Sequence, residues 1–489
     1  MASPQLLQAA TEIPAQLPLP RLPGAAQPRW LTGATLVASD LLALTLAGSV
    51  SVLAWYIVER KLEPGFYLTV CPLLGVFLIA YAAAGLYPGI ALNPVEELRR
   101  LTVSTSVVYA SLAAITFLSR EGELYSRAVF LLAWAQSVIL APVLRSCTRS
   151  YFSRRSWWGH PVAIFGAEPM AEAVVEALQR QPEAGLKPFA IFNDGAGGVR
   201  SIRGVPVFRK MSDAPKLSRQ RHVRCAILAI SKMPQSELLQ LLTRHGATFS
   251  RIIIIPELAG LPSLWVEAMD INGILGLEIQ QRLLLPASRL MKRLIDLGLI
   301  LMLGAALLPL IVLISLAVKL TSPGPVFFGH RRYGKNGKPF MAWKFRSMVQ
   351  NADEVLLEHL ANHAALREEW EWNHKLKNDP RITWVGRLLR HTSLDELPQL
   401  WNALKQEMSL VGPRPIVKEE IHRYGEDFLL YQMVTPGITG LWQVSGRNNV
   451  SYERRISLDS YYVRNWSVWL DLYVLARTIG VVLKGDGAY

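Results

Sequence analysis

Asp395 and Glu396 are adjacent carboxylates in the run Thr392-Ser393-Leu394-Asp395-Glu396-Leu397-Pro398-Gln399-Leu400. Such a pair can supply a nucleophile, hold a hard cation, or open a helix. Pro398 bears on the local structure. Within the first helical turn a proline loses no hydrogen bond, and deeper in it does. Regular helix is therefore expected to begin near Asp395. A helix start leaves N–H groups free and carries positive partial charge, which favours an ionised carboxylate. The competing reading is a capping box, with Ser393 as cap and Glu396 three residues on. Pro398 would then fall at the fifth helical position, which weakens that reading.

Several cations and polar side chains could serve a phosphorylated substrate beside those carboxylates. Arg390 lies five residues before Asp395, and Arg414 lies between Pro413 and Pro415. Arginine grips phosphate with a planar bidentate fork, and flanking prolines could fix its aim. Taken singly, an arginine is more often a solvated or lipid-facing charge. Lys344 and Arg346 are further candidates. The stretch Pro436–Arg447 carries turn signals at Pro436-Gly437 and Gly446. Its Thr439, Gln443 and Arg447 could contact a nucleotide or sugar, and Trp442 could stack on a base or pack in a core. His359 and His363 are four residues apart, but no Glu follows the first and no third ligand is apparent. With His374 they read as part of a solvated helix over Val355–Lys377.

The rest of the chain must position these residues at a membrane. Of 489 residues, 51% are hydrophobic, and the net charge is +14. A basic balance suits nucleic acid, anionic lipid or phosphorylated substrates. The charges flank apolar runs rather than clustering on a soluble domain, so no nucleic-acid partner is expected. Cys71, Cys147 and Cys225 are far apart and imply neither disulfide nor metal site. Residues 1–29, rich in Pro, Ala and Gln, read as a disordered tail. Four apolar runs follow within 30–150, at Leu31–Val58, Phe66–Tyr87, Leu98–Leu118 and Arg127–Leu144. Each is near the roughly 20 residues that cross hydrocarbon. Arg21 and Arg29, Arg99 and Arg100, and Arg145, Arg149, Arg154 and Arg155 mark ends expected to face the cytoplasm.

Over 159–285 the pattern becomes α/β, with strands expected at Pro161–Phe165, Phe189–Phe192, Cys225–Ile230 and Arg251–Ile255. Alternation with helices implies a parallel, Rossmann-like sheet. Gly166, Glu168 and Ala171 stand where a dinucleotide fingerprint needs three glycines, so a structural or regulatory role is expected. Residues 286–489 open with an apolar run, Leu294–Leu320, carrying Pro309 and flanked by positive charge on both sides. Both ends are then expected in the cytoplasm. The simplest solution is a re-entrant helix over 290–320 that turns at Leu308-Pro309, and the alternative is a kinked helix that spans the membrane. Trp466, Trp469 and Tyr473, within Tyr461–Leu483, suit an interfacial helix.

Lys344–Met348, Thr392–Leu400, Val411–Pro415 and Pro436–Arg447, in that order, resemble the bacterial sugar transferase family, the monotopic polyprenyl-phosphate phosphoglycosyl transferases. The resemblance covers Arg289 to Tyr489, and the preceding helices and α/β segment resemble its large subgroup. Lys375–Thr383, Leu400-Trp401-Asn402, Gly446-Arg447-Asn448 and Gly487-Ala488-Tyr489 are most similar to members that transfer galactose-1-phosphate. Where many members have Ser before the membrane proline, this chain has Leu308. The resemblance implies a four-helix transmembrane bundle, a Rossmann-like α/β domain, and a mainly helical monotopic catalytic domain with a re-entrant membrane helix. It implies transfer from a UDP-sugar to undecaprenyl phosphate at the cytoplasmic face of the bacterial inner membrane, starting O-antigen, capsule or exopolysaccharide assembly. Asp395 would be the nucleophile, Glu396 with Asp395 would hold Mg²⁺, and Arg390 and Arg414 would lie near phosphate or nucleotide. It also suggests a homodimer embedded in membrane lipid. Glucose is the alternative sugar. A non-catalytic nucleotide-binding membrane regulator is the alternative class.

Overall fold

The computed structural model describes residues 30–59, 71–118, 126–166, 168–193, 201–208, 211, 214–220, 223–230, 249, 251–256, 266–271, 274–279, 283, 285–362, 367, 379–446 and 450–484. The chain forms two compact units, Met1–Ala259 and Gly260–Tyr489.

The first unit begins with four helices: α1 (Trp30–Val58), α2 (Leu74–Ala83), α3 (Pro94–Leu118) and α4 (Arg127–Phe152). Three of them, α1, α3 and α4, are long and apolar enough to cross a membrane. Residues 60–70, which include the start of the second apolar run, lie outside the described residues. α4 packs on α1 and α3, and α2 on α3. The buried face of α1 carries Leu36, Ser39, Asp40, Ala43, Leu44, Ala47 and Ser51 at helical spacing. Small residues there let α4 approach closely. Leu42, Leu46, Leu53 and Ile57 are exposed instead, the pattern of a helix whose solvent is lipid.

Arg145 and Arg149, expected to mark a cytoplasm-facing helix end, are buried, unlike the solvated or lipid-facing charge that a single arginine more often is. The difference comes from carboxylates on other helices. Arg145 reaches Asp40 at 3.5 Å and Glu97 at 3.4 Å, and Arg149 reaches Glu97 at 2.7 Å. The Tyr87 hydroxyl donates to Asp40 at 2.6 Å. The carbonyls of Leu86 and Gly89 accept from Arg145 and Arg149.

The α/β part contains β1 (His160–Gly166), α5 (Glu168–Arg180), β2 (Leu186–Phe192), β3 (Ser201–Ile202), β4 (Val205–Phe208), α6 (Ala214–Gln220), β5 (Cys225–Ile230) and β6 (Arg251–Pro256). The sheet order is β3-β4-β2-β1-β5-β6. All pairs are parallel except β3 with β4. All four expected strands are present. Val162 and Ile164 face one core with Ala171 and Val175 of α5, and Ala163 and Phe165 face a second with Phe192 and Phe249. A parallel sheet covered on both faces needs such a continuous apolar run. Gly166 has φ +156°, and a Cβ there would lie 2.0 Å from the Ala229 carbonyl oxygen. The close approach of β1 and β5 is thus a packing reason for this glycine.

In the second unit β7 (Val266–Ile271) and β8 (Ile274–Ile279) form an antiparallel hairpin. The long helix α7 (Pro286–Thr321) follows, then a hairpin of β9 (Phe327–Tyr333) and β10 (Pro339–Phe345). The remaining elements are α8 (Ala352–Asn362), α9 (Trp384–Thr392), α10 (Gln399–Leu404), β11 (Ser409–Val411), α11 (Ile421–Tyr424), α12 (Asp427–Gln432), β12 (Gly437–Thr439), α13 (Leu441–Val444), α14 (Tyr452–Arg464) and α15 (Val468–Lys484). β11 and β12 pair in parallel. The helix expected over Val355–Lys377 is described only as α8 and Arg367. The His359 side chain, His363 and His374 lie outside the described residues.

α7 runs 36 residues and stays helical through Pro309. The expected turn at Leu308-Pro309 is therefore not a break in the helix. Its first half is tied down by Lys292 to Asp471, Arg293 to the carbonyls of Ala403 and Leu404, and Asp296 to Ser409. Its second half packs through Ile314 and Val318 on Phe345, Val385 and Leu389, beside Leu394 and Leu397. Between them Leu301, Met302, Leu303 and Leu308 are exposed.

Trp466, expected at an interface, is 2% exposed, and its indole N–H donates to Asp471. A buried acceptor makes core burial of that ring favourable.

Removing one member of a buried ion pair costs about 3–5 kcal/mol, because the other charge is left unpaired. Arg145→Met is thus expected to lower the thermal midpoint of the detergent-solubilised protein by several degrees, while exposed Arg154→Met leaves it unchanged. Equal midpoints for the two variants would contradict the assignment of the bundle network.

Candidate active site

Thr383 caps the start of α9 by accepting the Gly386 N–H at 2.9 Å. Val385 and Leu389 bury one face of that helix against α7 and Phe345. α9 stops at Thr392 because Ser393 adopts a left-handed conformation, φ 56°. The chain then makes a single 3₁₀ turn, Leu394–Glu396, and α10 begins only at Gln399. Asp395 therefore precedes the regular helix that it was expected to open. Pro398 explains this. It has no N–H to donate to the Leu394 carbonyl, and Leu397 makes the tighter bond instead, at 3.3 Å. Ser393 makes no side-chain cap bond, so the capping box is absent. α10 has six residues, too few to make its dipole the main field acting on Asp395.

That field comes from side chains. Lys344 Nζ lies 2.6 Å from Glu396 Oε1 and 3.5 Å from Asp395 Oδ2. Asn402 fixes where Lys344 stands. It is fully buried, accepts the Trp343 N–H at 3.0 Å, and donates to the Met341 carbonyl at 2.7 Å. This amide ties α10 to β10, one residue from Lys344. Asp395 itself is 8% exposed. Burial pushes its carboxyl above the usual carboxylate range; Lys344 pulls it down, Glu396 pushes it up, and Arg390 pulls it down. Arg390 is oriented by a 2.8 Å bond from Nε to Ser347 Oγ.

A line of basic side chains continues from Lys344. His330 and Arg332 lie two apart on β9, and Lys344 pairs with Phe328 across the hairpin, so all three share one face. The His330 imidazole is held below its usual range by burial, then by Arg332, Lys344 and Arg414. Arg332 is likewise lowered by burial and then by Arg414, with Glu396 among the charges opposing this. Arg414 lies over the Trp442 ring at 5.7 Å, and Arg455 lies over the same ring at 4.8 Å. Glu420 pairs with Arg455 at 3.2 Å and with Arg332 at 4.0 Å.

The structure thus brings Asp395, Glu396, Lys344 and Arg390 together, with Arg414 further along the cationic line. The Arg346 guanidinium turns to the Ser322 carbonyl at 2.6 Å and holds the exit from α7. Thr439 bonds Thr478, and Gln443 donates to the Ile438 carbonyl, so both brace β12. Trp442 is buried beneath Arg414 and Arg455, which favours packing over stacking on a base. Arg447 lies outside the described residues. Sequence reasoning missed His330, Arg332, Arg455 and Asn402. Only the spacing of His330 and Arg332 gave a local signal.

Among the described residues no group of three or more His, Cys, Asp or Glu could hold a metal. Asp395 and Glu396 nevertheless fit Mg²⁺, which commonly takes one or two carboxylates and completes its shell with water and substrate phosphate.

A paired-carboxylate turn beside a row of basic side chains, on a body built around a membrane-length apolar helix, is the arrangement of a membrane-bound enzyme. Residues 287–485 match the family model for bacterial sugar transferase, and residues 82–256 match that for a CoA-binding domain. The chain is 39% identical over 398 residues to the UDP-galactose-lipid carrier transferase of Erwinia amylovora, covering 81% of this chain and 82% of that one. It is 41% identical over 393 residues to the undecaprenyl-phosphate galactose phosphotransferase of Salmonella typhimurium, covering 79% and 81%. It is 31% identical over 371 residues to the UDP-glucose:undecaprenyl-phosphate glucose-1-phosphate transferase of Escherichia coli, covering 73% and 76%. The chain belongs to the bacterial sugar transferase family and is a bacterial membrane transferase.

As pH falls through its raised pKa, the Asp395 carboxylate is protonated and loses its charge. The acid limb of kcat/KM is therefore expected at higher pH than for an ordinary aspartate, whose pKa is about 3.9. Lys344→Met removes the leading charge that lowers this pKa and should move the limb to still higher pH. A limb that stays in place or moves down would contradict the assigned field.

Proposed function

We propose that this protein transfers a hexose-1-phosphate, most simply galactose-1-phosphate, from a UDP-sugar to undecaprenyl phosphate, and so starts a lipid-linked glycan for O-antigen, capsule or exopolysaccharide. The observation that carries this reading is the buried Asp395 carboxylate, held by Lys344 and Arg390 in a turn that the sequence motif marks. In the first step an Asp395 carboxylate oxygen attacks the β-phosphorus of the donor. The bond from that phosphorus to the bridging oxygen breaks, and UMP leaves with the oxygen. An oxygen of the polyprenyl phosphate then attacks the phosphosugar–aspartyl phosphorus. Polyprenyl-diphosphate sugar forms, and the Asp395 carboxylate is regenerated. Splitting the transfer this way makes each displacement easier.

Lys344 bridges Glu396 and Asp395 and offsets their mutual repulsion. Arg390 and Arg414 supply planar forks for phosphate. Asp395 and Glu396 would hold Mg²⁺. That ion would neutralise charge on the donor's phosphates. Galactose rather than glucose is favoured because the relatives named for galactose are 39% and 41% identical, against 31% for one named for glucose.

The re-entrant reading of α7 is supported by its contacts. Arg293 and Ile314 are about 31 Å apart along a straight helix at 1.5 Å per residue. Yet Arg293 binds Ala403 and Leu404, while Ile314 packs beside Leu394 and Leu397, a few residues earlier in the same segment. A helix that fully crossed the bilayer would carry its two halves to opposite surfaces. A bend at Pro309 lets the helix dip into one leaflet and return without unwinding. Arg289, Lys292 and Arg293 at the start of α7, and Lys319, Arg331 and Arg332 at its end and beyond, favour the cytoplasmic face of the inner membrane for both ends.

The test is a radiolabel transfer assay in membranes with UDP-galactose, UDP-glucose and UDP-N-acetylglucosamine. Label from UDP-galactose should pass into the lipid fraction, and Asp395→Asn should lose at least about a thousand-fold in rate. Activity that survives in Asp395→Asn sinks the covalent route. Preference for UDP-glucose would replace the sugar assignment. Transfer from none of them would favour the non-catalytic regulator.

A further inference from the structure

On the two-step route proposed above, the turn that carries Asp395 constrains both displacements at once. Attacking and leaving oxygens at a transferring phosphoryl group stand roughly in line. In the first step an Asp395 oxygen enters opposite the bridging oxygen, which leaves with UMP. In the second step the Asp395 oxygen is the leaving group. The entering oxygen of the acceptor phosphate must then stand where the UMP oxygen stood. One place beside the carboxylate turn therefore receives two phosphate monoesters in succession, each with a charge of about −1.5 to −2 at pH 7.

β9 supplies a cation for that place. Phe328, His330 and Arg332 share one face of the hairpin with Phe340, Ala342 and Lys344 of β10. The other face is occupied, because Phe327 stacks on Phe345 and Phe345 packs on α7. Arg332 thus stands on the side from which Lys344 meets Glu396 and Asp395, and Glu396 is among the charges acting on it. The Arg332 side chain is only 16% exposed, yet among the described residues its one ion pair is a 4.0 Å approach to Glu420. Arg455 holds that carboxylate more closely, at 3.2 Å, and the Val417 N–H donates to it at 3.1 Å. A guanidinium so far removed from water and so weakly paired is costly until an anion arrives.

Arg414 is fixed beside it. Tyr333, the residue after Arg332, donates its N–H at 2.9 Å to the carbonyl of Ile416, two residues beyond Arg414. The buried Tyr431 hydroxyl locks the same junction, donating to the Tyr333 carbonyl at 2.7 Å and accepting the Ile416 N–H at 3.3 Å. Arg414 is the leading charge acting on Arg332, and both act on His330. Among the described residues Arg414 makes no direct ion pair and lies over the Trp442 ring. Asp459 faces Arg414 and Arg455 from the core, where the Tyr424 hydroxyl donates to it. Two guanidiniums clamped near one another repel, and a phosphate held between their planar forks relieves that repulsion.

We propose that Arg332, with Arg414, forms a single phosphate subsite used twice in each turnover, first by the phosphate of departing UMP and then by the phosphate of the polyprenyl acceptor. UMP and the acceptor therefore exclude one another, although one is a nucleotide and the other a lipid.

The full-length wild type in detergent is titrated with UMP and with farnesyl phosphate, a short isoprenyl phosphate, singly and together, without any sugar donor. Binding is read by native mass spectrometry. Each should bind alone, and farnesyl phosphate should displace UMP. Arg332→Gln should bind both at least about ten-fold more weakly, the scale of a lost charge-assisted bond. Its affinity for uridine, which carries no phosphate, should stay at the wild-type value and reports a folded nucleoside site. Joint binding of UMP and farnesyl phosphate to one chain overturns the proposal. So does a loss in Arg332→Gln of neither ligand or of only one, or an equal loss for uridine. If Arg332→Gln does not fold, displacement or joint binding in the wild type decides alone. Adduct formation on wild-type Asp395 from UDP-galactose is measured alongside. No adduct removes the two-step route and this subsite with it, whereas an adduct together with joint binding removes only the shared subsite.

Discussion

Two like charges on adjacent residues cannot remain ionised in a half-dry site without a cation, and Lys344 is that cation. Its ammonium touches Glu396 and approaches Asp395. Burial alone would push Asp395 toward its neutral, non-nucleophilic form. Much of the surrounding architecture keeps Lys344 where it is. Asn402 binds the backbone on either side of Ala342 in β10, through Met341 and Trp343. α9 and the Ser393 turn deliver the carboxylates to meet the ammonium. The second half of α7 backs that turn through Leu394 and Leu397. The Asp395 turn thus sits next to a membrane-length helix whose middle carries exposed leucines and methionine.

The same balance recurs away from the site. Asp40, Glu97, Arg145 and Arg149 form a buried network among the membrane helices. Asp471 gathers Lys292, Tyr462 and Trp466 at the first half of α7. Asp459, bonded by Tyr424 and facing Arg455 and Arg414, is pushed up to about 7 by burial. Each places a charge where it has specific partners and fixes how apolar elements meet. The cationic line from Lys344 to Arg455 is less fully paired, with Glu420 shared between Arg332 and Arg455. That imbalance suits a face that receives phosphorylated substrates.

Patterns with local causes were legible in the sequence. Apolar length marked the membrane helices, and continuous apolar runs marked β1, β2, β5 and β6. Adjacent carboxylates within a family motif marked Asp395 and Glu396. What depended on distant partners was not legible. Arg145 reads as a flanking charge until Asp40 and Glu97 are known to face it. Trp466 reads as interfacial until Asp471 supplies its acceptor. Lys344 and Asp395 are 51 residues apart, and nothing in that spacing reveals their contact. The helix start was misplaced for a local reason: Pro398 was allowed within a first turn at Asp395, whereas its missing N–H leaves a separate 3₁₀ turn there. Arg332 and Arg455 escaped notice because their shared partner, Glu420, lies outside the motifs.

On the proposed route Asp395 becomes covalently bonded to phosphorus during transfer. Purified enzyme, given UDP-galactose without lipid acceptor, can be quenched rapidly, digested and read by mass spectrometry. A hexose-phosphate adduct on Asp395 is expected, formed with release of UMP and discharged when polyprenyl phosphate is added. UMP release with an unmodified Asp395 peptide, or an adduct on another side chain, would rule that route out.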